Sequence, residues 1–348
     1  MHSIRLRVSA RWIAGAVAAL CGLAQAAPPA YRVTDLGVPE GYAGAQALDV
    51  NASGEVLGLL LDPTEPYGIP FLWTAAGGMQ VGRPARHTVQ RTLSALGRQG
   101  QVVGWLDCHT CDRRLAFWWK PGARMRDLPG LIGTVEATAV NDLGVIAGSA
   151  YYEQANWHVV TWSPGAGVVD RTPAIPDARA SGINVHGQIT GWMSPTLQSP
   201  EHAMLLEPDG RVTDLGLFDG GFYTFGRAIN ASGMIVGTGD VGEAFRAFVW
   251  TAATGLRDIA AGTAYEGLYG DASDVHDDGW VVGNLDGRAF WWSDAEGLLH
   301  LDDLVDPADP LAGQVAFGGF PHVEESGRIA ATGVLAGVSH AFLLTPAR

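Results

Sequence analysis

Carboxylate side chains are the first groups in this sequence that could do chemistry. Hydrolysis of a glycosidic bond needs two of them across a cleft, about 5 to 9.5 Å apart. The sequence has no Gly-x-Ser-x-Gly elbow, no His-Glu-x-x-His motif and no phosphate-binding loop. No catalytic residue is therefore assigned, and a hydrolase or lyase acting on polysaccharide is an alternative hypothesis. Eight carboxylates between predicted strands are candidates for such a pair: Asp62, Glu65, Glu153, Glu201, Asp219, Asp240, Glu243 and Glu266.

Aromatic side chains favour recognition over catalysis. Aromatic rings stack on sugar or peptide surfaces and lose little entropy on binding. Seven of the eight tyrosines and three tryptophans lie between predicted strands, in what we expect to be long, variable loops such as 59–69, 149–158, 192–202, 217–226 and 260–270. The predicted ligand-binding residues are Tyr42, Tyr67, Trp105, Tyr151, Tyr152, Trp157, Trp192, Tyr223, Tyr265 and Tyr269. They predict a surface for a carbohydrate or an extended peptide.

Two cysteines, Cys108 and Cys111, remain once the leader described below is removed. In an oxidising compartment this pair predicts a disulfide that closes a small loop. A metal site that adds Asp107 and His109 is a weaker alternative, because it lacks the second cysteine or histidine pair usual for zinc. A redox-active pair is weaker still, because that chemistry favours the start of a helix.

Histidines and aspartates elsewhere do not predict a metal site. His158, His202 and His340 recur once per repeat and would lie apart from one another, whereas a metal needs convergent ligands. The acidic segment 302–309 lacks the glycine and the terminal glutamate of an EF-hand loop. We therefore predict no metal and no cofactor.

The first 26 residues have the pattern of a cleavable signal peptide. Arg5, Arg7 and Arg11 precede an apolar run over residues 12–24, and Ala24-Gln25-Ala26 is a small-x-small cleavage site. The run is too short to cross a bilayer, which needs about 20 residues, and no longer apolar stretch follows. We predict a secreted or periplasmic bacterial protein whose mature chain does not insert into a membrane.

The composition excludes several classes of partner. The formal charge is −14, so the chain repels phosphate backbones, and nucleic acid is not an expected partner. Hydrophobic residues at 47% are too many for a disordered chain. We expect a monomer whose partner is a carbohydrate, a peptide or a protein.

The elements that must position these residues follow from an internal repeat. Glycines at 54, 100, 144, 187, 233, 279 and 327 each precede an apolar triplet, and six of these triplets are followed by a second glycine. The leading glycines are 43 to 48 residues apart, which is the period of a propeller blade or of an α-helical repeat. Asparagine starts the turn in four copies, at Asn51, Asn141, Asn184 and Asn230, which is typical of a tight hairpin. No window has a helical period, so each repeat is read as four strands.

Ring closure follows from a displaced strand. Fourth strands typically end in aspartate and an aliphatic residue, as in Asp214-Leu215 and Asp303-Leu304, but the seventh repeat ends before such a strand. The missing copy lies at the other end, where residues 33–37 repeat residues 212–216. The predicted fold is therefore an all-β, seven-bladed β-propeller closed by an N-terminal strand that completes the C-terminal blade.

The domain prediction is a signal peptide over residues 1–26 and one propeller domain over residues 27–348. Residues 32–37 form the outer strand of the last blade. The tryptophans at 73, 119, 162, 250 and 292 occupy the same position of the repeat and should fill the space between blades. The predicted blades are 46–81, 92–128, 136–170, 179–215, 226–259, 271–304 and 316–344.

The third strand carries a motif that resembles the HAF-repeat proteins, which are extracellular bacterial repeat proteins. His340-Ala341-Phe342 matches the triplet fully, His202-Ala203-Met204 matches nearly, and His158 keeps only the histidine. The other four copies have Ile69, Leu115, Arg246 and Arg288 at that position. The resemblance covers essentially all of the chain after residue 26. It implies a repeat fold and an extracellular location, and no established catalytic activity.

The leading functional hypothesis is a secreted, non-catalytic binding propeller. In a propeller, the loops between second and third strands and the loops between blades share one face, and the ten aromatic residues fall in those loops. The first alternative is the hydrolase or lyase named above, acting through paired loop carboxylates. The second alternative is an envelope scaffold that docks other proteins through an apolar patch away from this face.

Overall fold

Each copy of the sequence repeat forms one four-stranded antiparallel sheet in the computed structural model of the chain. The predicted signal peptide and Cys111 lie outside the described residues. Within the described part of the chain, no helix is long and apolar enough to span a bilayer. The residues that the structure describes are 29–82, 91–108, 113–120, 123, 125–128, 133–152, 156–163, 166–196 and 198–347.

The first strand that the structure describes is β1 (Tyr31–Asp35), and the strands after it build blades 1 to 6 in sequence order. Blade 1 comprises β2 (Gly44–Val50), β3 (Val56–Asp62), β4 (Glu65–Thr74) and β5 (Gly78–Val81). Blade 2 comprises β6 (Arg91–Leu96), β7 (Val102–Cys108), β8 (Arg113–Trp119) and β9 (Arg126–Asp127). Blade 3 comprises β10 (Thr134–Val140), β11 (Ile146–Tyr152), β12 (Asn156–Ser163) and β13 (Gly167–Asp170).

Blades 4 to 7 follow the same order. Blade 4 comprises β14 (Asp177–Ile183), β15 (Ile189–Ser194), β16 (His202–Leu206) and β17 (Val212–Asp214). Blade 5 comprises β18 (Thr224–Ile229), β19 (Ile235–Val241), β20 (Ala244–Thr251) and β21 (Gly255–Asp258). Blade 6 comprises β22 (Gly270–Val275), β23 (Val281–Leu285), β24 (Arg288–Ser293) and β25 (Gly297–His300), followed by a short 3₁₀ helix (Leu301–Leu304). Blade 7 comprises β26 (Val315–Val323), β27 (Ile329–Leu335) and β28 (Val338–Pro346), with β1 as its fourth strand.

The N-terminal strand closes the ring, as the sequence predicts. β1 pairs with β28 in antiparallel register, with Thr34 opposite Leu343 and Asp35 opposite Phe342. The pairing continues past the strand, where the backbone N–H of Leu36 donates to the Ala341 carbonyl oxygen at 3.0 Å. Because β28 has a partner on its outer side, the last blade has no unpaired third strand. The prediction of an all-β, seven-bladed propeller closed in this way is confirmed.

Apolar residues fill the space between neighbouring blades. One buried cluster joins the sheet faces of blades 7 and 1 and contains Phe71 and Leu343. Equivalent clusters contain the buried rings of Trp162, Trp250 and Trp292. Trp73 and Trp119 pack against their clusters from partly buried positions. The tryptophans of this phase therefore belong to the scaffold that holds the blades together.

The repeated asparagine closes a turn and also joins one blade to the next. In blade 4, Asn184 Oδ1 accepts the backbone N–H groups of His186 and Gln188, both at 3.0 Å. Its Nδ2 donates to the carbonyl oxygen of Asn230 in blade 5 at 2.9 Å. Gly187 completes the turn with a φ of +78°, which glycine adopts without strain.

This link repeats around the axis. The side chains at positions 51, 141, 184, 230 and 276 each donate to a backbone carbonyl of the following blade, at 2.9 to 3.1 Å. Position 97 is a glycine, and there Arg98 contacts Asp142 of the next blade at 3.0 Å instead. Between blades 7 and 1, Arg328 donates to the Ala52 carbonyl oxygen at 3.4 Å. The sequence indicates the turn, but the contact between blades becomes visible only in the folded ring.

The second glycine of each repeat lies where the second strand passes close to a bulge in the first. A Cβ atom at Gly148 would lie 2.1 Å from the carbonyl oxygen of Glu136, and one at Gly191 would lie 1.9 Å from that of Arg179. In blade 7 this glycine is replaced by Ala331. There the irregularity in the first strand is longer, between Gly318 and His322.

Two predictions about connections are wrong. Segments 59–69 and 149–158 are not long loops, because β3 and β4 continue through the first and β11 and β12 through most of the second. Asp303-Leu304 does not end a fourth strand. β25 ends at His300, which faces Phe290 as Asp258 faces Phe248 in blade 5, and residues 301–304 form the 3₁₀ helix. Long connections do occur before β16, β18 and β22.

The histidines of the third strand pair with the aspartates of the fourth. His158, His202 and His340 place Nδ1 2.8 to 2.9 Å from a carboxylate oxygen of Asp170, Asp214 and Asp35, respectively. The same aspartates accept backbone N–H groups two residues further on. In blade 7 the pair joins β28 to β1, so the histidine of the repeat motif contributes to ring closure.

Candidate ligand-binding site

Aromatic and arginine side chains of blades 2 to 5 form one continuous group on the face that carries the connections between second and third strands. We call this face the loop face. We call the group the aromatic–arginine band. Its members are Trp105, Arg114, Glu136, Tyr151, Trp157, Arg179, Trp192, Tyr223 and Phe225.

Blade 2 contributes a guanidinium group stacked on an indole. Trp105 and Asp107 lie two residues apart on β7, so their side chains point to the same side of the sheet. Arg114 on β8 is opposite Asp107 and donates to it through Nε at 3.2 Å. The Arg114 guanidinium carbon lies 4.4 Å from the centre of the Trp105 ring, which is within the range of a cation–π contact.

Blade 3 contributes a buried carboxylate and two aromatic rings. Glu136 is only 7% exposed and accepts a short hydrogen bond from Arg114. Tyr151 and Trp157 are direct partners in the pairing of β11 with β12, and their ring centres are 5.3 Å apart. Because cross-strand partners share one face of the sheet, the two rings form a single platform.

Blade 4 supplies a second stacked guanidinium. The Arg179 guanidinium carbon lies 3.7 Å from the centre of the Trp157 ring. Its Nη1 is 3.6 Å from a Glu136 oxygen, so Glu136 lies between two arginines. Trp192 is opposite Arg179 in the pairing of β14 with β15. Both arginines are therefore held by strands and indole rings rather than by loops.

Blade 5 extends the aromatic surface. The Phe225 ring meets Trp192 edge to face, with centres 5.5 Å apart, and it stacks against Tyr223 at 6.0 Å. Sequence reasoning missed Phe225, although it lies in the predicted loop 217–226, because only tyrosines and tryptophans were selected there. The repeat alignment could have found it, since Phe225 occupies the position in the first strand that Glu136 and Arg179 occupy in blades 3 and 4.

A cavity of about 610 Å³ opens beside the band. A cavity of this size can hold a small oligosaccharide or peptide. Two of the predicted aromatic residues line it, and three arginines line it with them. Its lining residues are Asp107, Cys108, Arg113, Arg114, Thr134, Tyr151, Trp157 and Arg179.

Arg113 and Arg179 have hydrogen-bonding capacity that no described residue uses. Arg113 is exposed, and neither its guanidinium group nor that of Arg179 makes a hydrogen bond to another described residue. Burial lowers the pKa of Arg179 despite the nearby Glu136 carboxylate. Burial also opposes the charge of Arg114, but Glu136 and Asp107 outweigh it and raise the pKa of that group. All three arginines stay protonated at neutral pH, because an arginine side chain does not lose its proton in proteins.

The ten predicted aromatic residues fall into two sets. Trp105, Tyr151, Trp157, Trp192 and Tyr223 belong to the band. The other five, Tyr42, Tyr67, Tyr152, Tyr265 and Tyr269, do not. Tyr42, Tyr152 and Tyr265 pack against the apolar core, and Tyr269 contacts Phe245. Tyr67 is 45% exposed and makes no ring contact with another described residue.

Three of the eight predicted carboxylates accept hydrogen bonds that hold nearby segments of the chain. Asp240 is buried and accepts the backbone N–H groups of Phe222 and Tyr223. Asp62 accepts two hydrogen bonds from Thr64, and Glu266 accepts the N–H of Gly262. Glu153 lies outside the described residues.

Glu201 is different because it lies beside the band. Burial, and then the negative charge of Asp177, raise the pKa of the Glu201 carboxyl group. Asp177 itself accepts the backbone N–H of Trp157 at 3.1 Å.

The predicted disulfide between Cys108 and Cys111 stays a prediction, since Cys111 lies outside the described residues. Cys108 is the last residue of β7 and lines the cavity. Within the described part of the chain, no group of three or more histidine, cysteine, aspartate or glutamate side chains could hold a metal ion.

A titratable cluster joins blades 6, 7 and 1 away from the band. Asp49 accepts the Leu96 N–H at 2.7 Å, and Asp274 accepts the Val323 N–H at 3.0 Å. His322 Nδ1 is 3.6 Å from Asp274. Burial raises the pKa of Asp49 to about 6, although His322 acts against this shift. Asp274 and Asp49 outweigh burial and raise the pKa of His322.

This cluster predicts that the fold loses stability as the pH rises from 5 to 7. The pKa of Asp49 is higher in the folded state than in the unfolded chain, so the protonated carboxyl group stabilises the fold. This contribution is complete below about pH 4 and is lost as the pH passes about 6. Its loss amounts to roughly 1 kcal/mol between pH 5 and 7. His322 acts in the same direction, because its raised pKa also favours protonation in the folded state.

The measurement is chemical unfolding at both pH values for the wild type and Asp49→Asn. The variant should lose less stability between pH 5 and 7 than the wild type. Parallel pH profiles for the two proteins would contradict the assignment to Asp49.

Two further cavities lie on the opposite face, which carries the tight turns. A cavity of about 190 Å³ is surrounded by the turn residues that join the blades. An apolar groove of about 520 Å³ between blades 2 and 3 is lined by residues that include Trp118, Leu143 and Trp162. An apolar patch away from the loop face is what the scaffold hypothesis requires, but nothing in the structure indicates what would cover this groove.

Comparison with known proteins supports the fold alone. No protein-family model matches the chain, and no curated protein matches it, so the resemblance to HAF-repeat proteins stays a prediction. A virginiamycin B lyase from Staphylococcus aureus is similar in structure, with a TM-score of 0.55 and 8% identity over 91% of this chain and 100% of the lyase. A puromycin hydrolase has a TM-score of 0.58 and 13% identity over 86% of this chain and 51% of its own. The structural similarity places the chain in the β-propeller class. At identities this low, it says nothing about activity.

Proposed function

We propose that this protein is a secreted or periplasmic binding propeller that holds a carbohydrate on the aromatic–arginine band. The observation that carries the proposal is the convergence of Tyr151, Trp157 and Arg179 around one open cavity. A sugar ring has an apolar face and a polar edge. An aromatic platform beside charged donors complements both.

A carbohydrate is favoured over an extended peptide because of what the cavity lacks. Peptides that bind by β-augmentation need a free strand edge, and others need apolar pockets for their side chains. Here the strands that hold Trp105, Tyr151 and Trp157 are paired on both sides within their sheets, and most of the cavity lining is polar or charged.

The test is a glycan and peptide array that compares the wild type with Trp157→Ala and Tyr151→Ala. Loss of a central aromatic contact should weaken binding of the best glycan by at least tenfold. Tyr151→Ala is included because Tyr151 is 38% exposed, so its removal should not impair folding. Tyr67→Ala is the matched control and should bind as the wild type does, because Tyr67 lies outside the band.

Three results of the array would count against the proposal. Equal binding by the wild type and both band variants would remove the band as the site. Binding of peptides alone would replace the carbohydrate with the other ligand of the sequence-based hypothesis. Absence of binding to any glycan would remove the proposed function.

A second candidate function, cleavage of a polysaccharide, rests on Glu201. Burial and the neighbouring Asp177 carboxylate raise the pKa of Glu201, which is the direction that a general acid requires. Its test is the release of new chain ends from a polysaccharide that the array identifies. Glu201→Gln should abolish that release while the glycan stays bound, and absence of release by the wild type would exclude this function for the polysaccharide tested.

A further inference from the structure

We infer that the saccharide bound by the aromatic–arginine band is acidic, and that Arg113 and Arg179 bind a carboxylate of a uronic acid residue in it. This inference rests on the proposed function and names the chemical class of its ligand. Three arginines and one aspartate line this cavity in a protein whose formal charge is −14, so cationic side chains outnumber anionic ones in its lining.

The first argument is unused donor capacity. A guanidinium group has five N–H donors, and those of Arg113 and Arg179 find no acceptor among the described residues. Arg179 is partly buried, with 28% of its side chain exposed, so bulk water only partly replaces the missing acceptor. A carboxylate in the cavity would accept two parallel N–H bonds from such a group.

The second argument is preorganisation. Stacking on Trp157 orients Arg179 and leaves its N–H edges available, and stacking on Trp105 orients Arg114, which also bonds to Asp107 and Glu136. Because the side chains are already ordered, less entropy is lost when a ligand binds. The hydroxyl groups of an uncharged sugar can accept hydrogen bonds from a guanidinium edge, but only a carboxylate adds the opposite charge, which makes such bonds about twice as strong.

The third argument is that the site already holds a carboxylate of its own. Glu136 accepts a hydrogen bond from Arg114 and lies 3.6 Å from Arg179. The position of Glu136 shows that the guanidinium groups of Arg114 and Arg179 can contact one carboxylate together. Two other nearby acids have partners, since Asp107 bonds to Arg114 and Asp177 accepts a backbone N–H.

The experiment is calorimetric titration of the mature protein with three probes. The first is trigalacturonic acid, the second is its methyl ester, which has the same linkages without charge, and the third is a sulfated galactan oligosaccharide without carboxylates. We expect the acid to bind at least tenfold more tightly than the ester, and more tightly than the sulfated probe.

Variants separate the arginines from the aromatic platform. Arg113→Gln and Arg179→Gln should each weaken binding of the acid about tenfold and weaken binding of the ester much less, because only the acid loses an ion pair. Glu136→Gln should strengthen binding of the acid severalfold, because it removes a competing carboxylate. Arg257→Gln is the matched control, since Arg257 also contacts a tryptophan ring, Trp292, but lies outside the cavity.

The outcomes distinguish this inference from the proposed function. Equal affinities for acid and ester, with both lost in Trp157→Ala, would overturn the inference and leave the carbohydrate site standing. Tighter binding of the sulfated probe than of the acid would replace the carboxylate with a sulfate ester. Binding of none of the probes, nor of any glycan on the array, would remove both. Arg113 is exposed, so a loss of binding in its variant cannot be attributed to failed folding.

Discussion

Replacement of Tyr31 by alanine is expected to lower the free energy of unfolding by about 3–5 kcal/mol, the range for removal of a large buried aromatic side chain. Tyr31 is the first residue of β1 and is only 1% exposed. It packs in the same buried cluster as Trp291 of blade 6 and Phe342 of blade 7. Its backbone also pairs with Pro346 and forms a bridge to Val305.

The effect should be local as well as large. β1 is the fourth strand of blade 7, so a weakened β1 exposes the outer edge of β28. Hydrogen exchange should therefore increase for the backbone amides of β28, while blades 3 and 4 stay protected. The measurements are chemical unfolding and hydrogen exchange of the wild type and Tyr31→Ala.

Tyr67→Ala is the matched control, because it removes the same side chain from an exposed position. It should change the free energy of unfolding by about 0.5 kcal/mol or less. If Tyr31→Ala is as stable as this control, or if exchange increases elsewhere than in β28, β1 does not close the ring.

The second large effect is expected at Asn184, one of the residues that join neighbouring blades. Asn184→Ala removes two bonds that close the turn, a bond to the Gln188 side chain at 2.7 Å and the bond to the Asn230 carbonyl. Because Asn184 is buried, water replaces these partners poorly. We expect a loss of roughly 2–4 kcal/mol in chemical unfolding.

A second variant separates the turn from the contact between blades. Asn184→Asp keeps acceptors for the N–H groups of His186 and Gln188 but has no donor for the carbonyl of Asn230. It should therefore also destabilise the protein, although the turn can still form. Asn156→Ala is the control, since Asn156 makes no side-chain hydrogen bond to a described residue. Wild-type stability of Asn184→Asp would show that the contact between blades contributes nothing.

Ring closure could be predicted because the relevant signal is a repeat. Residues 33–37 have the sequence of a fourth strand, and a fourth strand is missing at the other end of the chain. The pairing of Asp35 with Phe342 then follows from the geometry of a closed propeller. The glycine pattern likewise indicates hairpins, although the close approach of Gly191 to Arg179 depends on a bulge that no pattern in the sequence reveals.

The site could be predicted only in part. Trp105, Tyr151, Trp157, Trp192 and Tyr223 were identifiable as aromatic residues outside the repeat phase, but nothing in the sequence separates them from the five that lie elsewhere. The arginines and Glu136 could not be found because their roles depend on contacts between different blades.

The boundaries of the loops were also misjudged. Tyr151 and Trp157 are in strands, because the hairpin of β11 and β12 extends further than its loop-like composition suggests. This difference matters for function, since rings held by paired strands form a more rigid platform than rings on loops.

The most direct test of the account is a crystal structure of the protein with the saccharide that binds most tightly on the array. The account predicts a sugar ring against Tyr151 and Trp157, with an acidic group within hydrogen-bonding distance of Arg113 or Arg179. A saccharide bound on the face of the tight turns, or on the loop face away from these residues, would contradict it.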